Sequence, residues 1–370
     1  MNLSALAKAV NAAASQPSFA AYASGYGAAL KDPAKLKGMK LMIVPGDSQL
    51  AACEEIAEAD AALSRSVGMK PTIFQNDGET TQLNSAIEEA IHQKYNAIDL
   101  ECDFNPAVVA PAISQAKAHG IKVDVYGATP QEIAQSKVDA GTVDPYAFDG
   151  QVAADQAVVQ HNGKPFQAIA ITSNEAPATA IMEGALVAEL KKQCPACTVT
   201  AVDVEVPQWQ SNIASTLTSA LIKNPKATVV FPDYAGMLTY VLAGIEAAHK
   251  SGSVRTYLAF GGGTPFIQLQ AAGVGHQVIQ SDIGGYPVWT GYLLFFQTAL
   301  DLTGQKTIPY TKAIGPDRVA TPNNAAQILK TGGWGTDFVN GFRGLLGLPA
   351  LKGTALFKAS TLNGVMTAKV

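Results

Sequence analysis

The sequence predicts an α/β protein built of two doubly wound parallel-sheet lobes joined by a multi-strand hinge. Short apolar runs that stop at turn residues, beginning with Leu41-Met42-Ile43-Val44 before Pro45-Gly46, recur along the chain as buried strands should. Helix-patterned stretches separate them, and strands alternating with helices wind into a parallel sheet through right-handed crossovers. The alternation resets at Asp144-Pro145 and repeats, which suits a chain of 370 residues when a domain takes roughly 100 to 200.

Residues 1–37, rich in alanine and carrying Pro17 and Pro33, are expected to form a short helix and a loosely ordered lead-in that packs across the first lobe. That lobe takes residues 38–143 and 284–308. After the strand at 41–44 come an alanine-rich helix, a strand at 72–74, a helix over 81–94 with Leu83, Ile87, Ala90 and Ile91 at helical spacing, and a strand at 97–100. A helix over 106–119 and a strand at 121–126 repeat the step, and 138–143 closes the sheet as an edge strand. The second lobe takes residues 144–283 and, with a C-terminal extension, 309–370. Its helices are expected over 146–161, 176–192, 211–222 and 235–250, and its strands at 166–172, 199–204, 228–231, 257–260 and 277–280. A glycine-rich turn, Asp282-Ile283-Gly284-Gly285, leads to a strongly apolar helix over 289–302 that returns the chain to the first lobe. Such a return makes the joint a hinge, where a few loop residues absorb the dihedral change. From Pro309 the chain is rich in glycine and turns.

Hydrophobic residues make up 48% of the chain and charged ones 15%, with a net charge of -4. That balance gives no basic footprint for nucleic acid, and no run approaches the ~18 apolar residues of a membrane span. The opening residues Met1 to Lys8 lack the charged and apolar regions of a signal peptide, so the protein is either cytoplasmic or any export signal lies outside this sequence. Cys194-Pro195-Ala196-Cys197 has a spacing shared by redox pairs, half zinc sites and small disulfide loops. The pair follows its helix instead of opening one, which removes the usual activation of a redox thiol. Zinc would need further ligands, and Cys53 and Cys102 belong to the other half. A structural disulfide is the expectation, with two unpaired cysteines the alternative. Cys53, one turn into the first helix, and Cys102, ending the third strand, both lie at the top of the first sheet and are within reach of a second pairing. Disulfides imply an oxidising compartment.

In wound sheets ligands sit beyond the carboxyl ends of the strands. On the first lobe those ends offer Asp47, Ser48 and Gln49, then Asp103 and Phe104, then Tyr126. The first three equally suit capping of the helix that follows, although helix N-termini also present free amides to a ligand. On the second lobe Asn174 and Glu175 begin a helix, Asp233 and Tyr234 follow Phe231-Pro232 at a strand end, and Asp282 and Tyr286 flank the crossing between lobes. Each has a plain structural alternative in capping or hinge hydrogen bonding. Trp209 lies in the polar, turn-like stretch Val206-Pro207-Gln208-Trp209-Gln210, which suits a ring that stacks on a ligand better than a core residue. Catalytic chemistry has no pattern to stand on. His92, His119, His161, His249 and His276 fall mostly at helix C-termini, where a cation suits the dipole, and no H-E-x-x-H, G-x-S-x-G or P-loop is present. Gly261-Gly262-Gly263 lacks the G-x-G-x-x-G spacing. Neither a cofactor nor a metal is expected.

Several segments in order resemble one family: Asn76-Asp77-Gly78 before the second helix, Asn105-Pro106-Ala107-Val108-Val109 opening the third, and Val143-Asp144 leading to Asp149-Gly150. Ile181-Met182-Glu183-Gly184, the stretch Asn224-Pro225-Lys226-Ala227-Thr228 and the closing Pro316-Asp317-Arg318 to Asn324 continue the series. Together they are similar to the type I periplasmic substrate-binding proteins, which include ribose- and galactose-binding components of ABC importers and the ligand domains of LacI-type repressors. The resemblance covers residues 40–324. It implies a ligand sandwiched by aromatics and held by an arginine, an Asn or Asp, and an aspartate. Here Thr179 stands at the arginine position, Asp233 or Tyr234 at the Asn position and Gly262 at the aspartate position, while Trp209 matches the aromatic. A repressor would need a basic helix-turn-helix ahead of the first lobe, and residues 1–37 offer only Lys8, Lys31, Lys35 and Lys37. The resemblance therefore implies an extracytoplasmic, monomeric solute-binding protein that closes over a small polar molecule, a sugar or polyol, and delivers it to an ABC permease in the membrane. The alternatives are a ligand-sensing domain for a signalling partner, or carriage of a small aromatic or cationic compound.

Overall fold

The computed structural model describes residues 2–102, 105–257, 260–261, 264–273, 278–331 and 333–361. The N-terminal segment forms α1 (Leu3–Ala13), α2 (Phe19–Tyr26) and a 3-10 turn. The first lobe follows as β1 (Lys40–Pro45), α3 (Ala51–Ser66), β2 (Lys70–Ile73), α4 (Thr80–His92), β3 (Ala97–Glu101), α5 (Ala110–Ala118), β4 (Lys122–Tyr126), α6 (Pro130–Ser136) and β5 (Ala140–Thr142). Its strands are all parallel, in the order β2-β1-β3-β4-β5. Residues alternate faces along a strand, and β1 shows the result: Leu41 and Ile43 enter one core while Met42 and Val44 enter the other. Each such fully buried aliphatic side chain contributes about 1.5–3 kcal/mol. That two-sided burial is why the run reads as continuously apolar.

The second lobe repeats the plan with α7 (Tyr146–Gln160), β6 (Gln167–Thr172), α8 (Pro177–Gln193), β7 (Thr198–Asp203), α9 (Trp209–Lys223), β8 (Ala227–Pro232), α10 (Leu238–Ala247), β9 (Arg255–Tyr257), α11 (Thr264–Ala271) and β10 (Ile279–Gly285). On β6, Ile169 and Ile171 face one core and Ala168 and Ala170 the other. The chain continues as α12 (Pro287–Leu302), β11 (Asp317–Ala320), α13 (Ala325–Thr331), α14 (Asp337–Leu345) and α15 (Gly353–Thr361). The second sheet runs β11-β10-β9-β8-β6-β7, parallel except for β11. Among the described residues no helix is long and apolar enough to cross a membrane.

The lobes meet at a hinge where the chain crosses after β5, between β10 and α12, and ahead of β11. Val143 bridges Ile314 and donates its amide to the Ala313 carbonyl, so two crossings run side by side. Helix α12 is buried on every side from Pro287 to Leu300 and packs on α3 under the first sheet, as suits a helix that is largely apolar all round. A Cβ at Gly291 would stand 2.4 Å from the Ile56 carbonyl oxygen, so these two helices touch backbone to backbone.

Four expectations need correction. Residues 282–285 are strand and not turn, because β11, a partner from much later in the chain, pairs them antiparallel as Asp282↔Ala320 through Gly285↔Asp317. The expected strand at 257–260 is instead β9 at Arg255–Tyr257, with Phe260 bridging Tyr234 and residues 258–259 outside the described ones. The N-terminal lead-in is ordered and divided: α1 packs on α7 of the second lobe, with Leu6 in that lobe's core, while Phe19, Tyr22 and Tyr26 of α2 pack around Trp289 and Phe342. The C-terminal extension is divided too, since α13 packs on α11 but α14 and α15 pack on α12. In both cases the apolar face settles where an aromatic or aliphatic partner awaits it.

Candidate functional site

The loop after β1 is shaped by its own side chains. Asp47 Oδ1 accepts from the Gln49 amide at 2.7 Å, while Ser48 Oγ accepts from the Asn76 amide at 3.2 Å and the Ser48 amide donates to the Asn76 carbonyl at 3.1 Å. Asn76 Nδ2 donates to the Pro45 carbonyl at 2.8 Å. These bonds clasp the β1–α3 loop to the β2–α4 loop, which leaves Asp47 and Asp77 close together. Burial, and after it the Asp77 charge, pushes the Asp47 carboxyl upward, while the Gln49 amide opposes the shift. The Cys53–Cys102 disulfide ties the first turn of α3 to the end of β3.

The facing wall comes from the second lobe. Trp209 opens α9 after a 3-10 turn, Val206–Gln208. Its Nε1 donates to Ser173 Oγ at 2.8 Å, and Ser173 Oγ donates to the Val204 carbonyl at 2.7 Å. The indole stacks on Tyr234 with centroids 5.9 Å apart and 27° between planes. Below it, a Cβ at Gly236 would come within 2.8 Å of Trp209 Cζ3, so the ring needs a glycine there. Thr179 Oγ1 donates to the Tyr234 hydroxyl at 3.1 Å, and Glu175 Oε1 accepts from the Val206 amide.

Between the walls lies a cavity of about 410 Å³. The first lobe lines it with Gly46, Asp47, Leu50, Asp77, Gly78, Glu79, Thr80, Leu83, Cys102, Asn105 and Val108, and the second with Glu175, Ala176, Val206, Pro207, Trp209 and Tyr234. A recess of about 30 Å³ toward the hinge shares Cys102 and adds Tyr126, Phe260 and Gly261. Two larger hollows of about 610 and 690 Å³ lie outside the cleft. They border the terminal segments and do not touch the Asp47 and Trp209 walls, so the cleft is the candidate site. No group of His, Cys, Asp and Glu among the described residues is arranged to hold a metal ion.

Of the residues singled out in the sequence, Asp47, Glu175, Trp209 and Tyr234 meet around the cavity and Tyr126 lines the recess. Ser48 and Gln49 shape the loop from outside the lining. Asn174 donates its amide to Asp203 Oδ1 at 2.9 Å and is exposed. Thr179 and Asp233 are buried behind the wall. Burial, then the Glu183 charge, drives the Asp233 carboxyl well above the usual range. Asp282 is buried on β10 beside β11. Tyr286 lies in the core behind the hinge: its ring stacks on Trp334 at 5.1 Å and 2°, and its hydroxyl donates to the Ser360 carbonyl. Asp103, Phe104 and Gly262 lie outside the described residues. The lining residues not singled out include Leu50, Asp77, Glu79 and Asn105. The strand-end rule applied to β2, where Asn76-Asp77-Gly78 marks the turn, could have found Asp77 and Glu79. The Cys194–Cys197 pair is also a disulfide, at the far end of α8.

The family described as periplasmic binding protein domain matches residues 42–306. No curated protein matches. Among solved structures, the chain is similar to an ABC transporter solute-binding protein from Agrobacterium vitis with bound allitol, at 18% identity and TM-score 0.68 over 80% of this chain and 99% of that one. A sugar ABC transporter from Yersinia enterocolitica is 17% identical with TM-score 0.68, over 84% of this chain and 95% of that one. A carbohydrate transporter from Acidothermus cellulolyticus in complex with myo-inositol is 17% identical with TM-score 0.64, over 79% and 97%. These likenesses are of fold.

Proposed function

The chain belongs to the periplasmic binding protein domain family, and from that premise we propose that it is the extracytoplasmic solute-binding component of an ABC importer. It takes one small sugar or polyol into the cleft and presents it to a membrane permease, acting as a monomer. The observation that carries this reading is the cavity of about 410 Å³ lined from both lobes, with Trp209 set in its wall. A ligand there meets the loops after β1, β2 and β3 on one side and Trp209 and Tyr234 on the other. It gains all of its contacts only when the lobes are together, so binding shifts the hinge toward the closed form. The allitol and myo-inositol bound by two proteins of similar fold support a polyhydroxylated ligand. Two disulfides favour an oxidising compartment. The cycle is binding, closure and release, with no bond made or broken.

A thermal-shift screen over sugars and polyols tests it. A ligand at about 100 times its Kd stabilises the folded form by about 2.7 kcal/mol, so at least one such compound is expected to raise the melting temperature. A broad panel that leaves melting unmoved would overturn the ligand class.

A further inference from the structure

The cavity between the lobes carries one sign of charge. Asp47, Asp77 and Glu79 reach it from the first lobe and Glu175 from the second, while no Lys, Arg or His is among its lining residues. None of the four carboxylates belongs to an ion pair among the described residues. They come from loops after β1 and β2 and from the start of α8, so the two lobes supply the same sign to one space. The cleft is a ligand site on separate grounds, namely its position between two hinged lobes and the family to which the chain belongs; the charges bear on what it holds. We propose that the ligand of this cleft carries a positive charge, as an amino sugar or amino polyol does. The proposal rests on the sugar or polyol reading above and narrows it.

Closure makes the charge matter. When the lobes come together, water leaves the carboxylates and their mutual repulsion grows as the local dielectric falls. A neutral sugar leaves that repulsion and the desolvation cost standing, whereas an ammonium group among the carboxylates offsets both. Burial first, and the Asp77 charge after it, push the Asp47 carboxyl upward against the opposing Gln49 amide. Asp47 and Glu175 each use one oxygen on a backbone amide, which fixes the carboxylate while leaving its other lone pairs as acceptors.

Calorimetric titration of the full chain with matched pairs tests this: glucose against glucosamine, galactose against galactosamine, and glucitol against 1-amino-1-deoxyglucitol. At neutral pH the amine of at least one pair is expected to bind about 10-fold tighter or more than its neutral twin. The ratio should shrink between about 20 and about 500 mM salt, because screening weakens charge attraction. It should also fall toward one in Glu175→Gln and in Asp47→Asn, which keep an acceptor oxygen for the Val206 and Gln49 amides. Neutral twins that bind as tightly as the amines would overturn the charge assignment and leave the sugar or polyol reading standing. If no member of any pair binds, that reading fails and takes this proposal with it.

Discussion

Trp209 serves two masters. Only 7% of its surface is open, so one edge faces the cavity while the body is core, held by Ser173, Tyr234 and the bare Cα of Gly236. Trp209→Ala is therefore expected to combine loss of the proposed ligand contact with a core hole worth about 3–5 kcal/mol. Trp209→Phe separates the two: it keeps a ring but loses the bond to Ser173, and should cost about 1–2 kcal/mol in urea denaturation while retaining a measurable ligand-induced thermal shift. A Phe variant as unstable as the Ala variant would show that ring packing is lost as well. The polar setting of Trp209 pointed to the cleft wall, where the residue stands, but also to a ring outside the core, which its burial contradicts. Asp233 and Thr179 were not legible, because the strand-end rule says where the backbone stops and not which way a side chain turns. Asp233 turns back toward Thr179 and Glu183 on α8, and Tyr234, one residue on, faces the cleft. Tyr286 escaped for another reason: its partners Trp334 and Ser360 lie far along the chain.

Helix α12 is fixed in the first lobe by pressing its backbone on α3 at Gly291. Gly291→Val would drive a branched side chain into the Ile56 carbonyl and the Asp60 amide, 2.4 and 2.9 Å from the position of its Cβ. Overpacking of this kind costs about 1–3 kcal/mol or more, and denaturation should show a loss in that range or above; an unchanged midpoint would mean that α12 can shift on α3. The disulfides differ in what they hold. Cys53–Cys102 closes a separation of 49 residues and Cys194–Cys197 one of 3, so on loop-closure entropy their contributions are about 4 and about 2 kcal/mol. Converting the first pair to serines should cost more stability and also weaken ligand binding, since Cys102 lines the cavity; converting the second should leave affinity alone, as calorimetry would show. Elements with local signals were readable from sequence: β1, β3, β4, β6 and β8 stand where apolar runs meet turn residues. Helices α13 to α15 were not, because that stretch is dense in glycine and its apolar faces acquire meaning only against α11 and α12.

At the scale of the molecule, acidity should stabilise the fold. Asp60 on α3, Asp99 and Glu101 on β3, and Asp124 on β4 are fully buried together, with Thr298 of α12 donating to Asp99 Oδ1 at 2.6 Å. Burial first, and then one another's charge, raises all four well above their ordinary values of 3.8 for Asp and 4.5 for Glu. The folded chain thus holds protons that the unfolded chain has released. The stability from this cluster is fully present below those ordinary values and is lost as pH rises above them toward the raised ones. The urea midpoint is expected to be higher near about pH 5 than near about pH 8, and Asp124→Asn should flatten the slope; a midpoint that rises with pH would contradict the protonated cluster. The division of the N-terminal segment has a mechanical outcome. Ala14, at the end of α1, accepts from Arg318 Nε at 2.9 Å, and Phe19, at the start of α2, donates its amide to Asp337 Oδ2 at 2.8 Å. The few residues between reach about 3.3–3.6 Å each when fully extended, so they are expected to act as a leash that limits how far the lobes swing apart. Deleting α1 should enlarge the radius of gyration of the ligand-free protein in X-ray scattering and leave the loaded one unchanged; equal radii with and without α1 would mean the leash is slack.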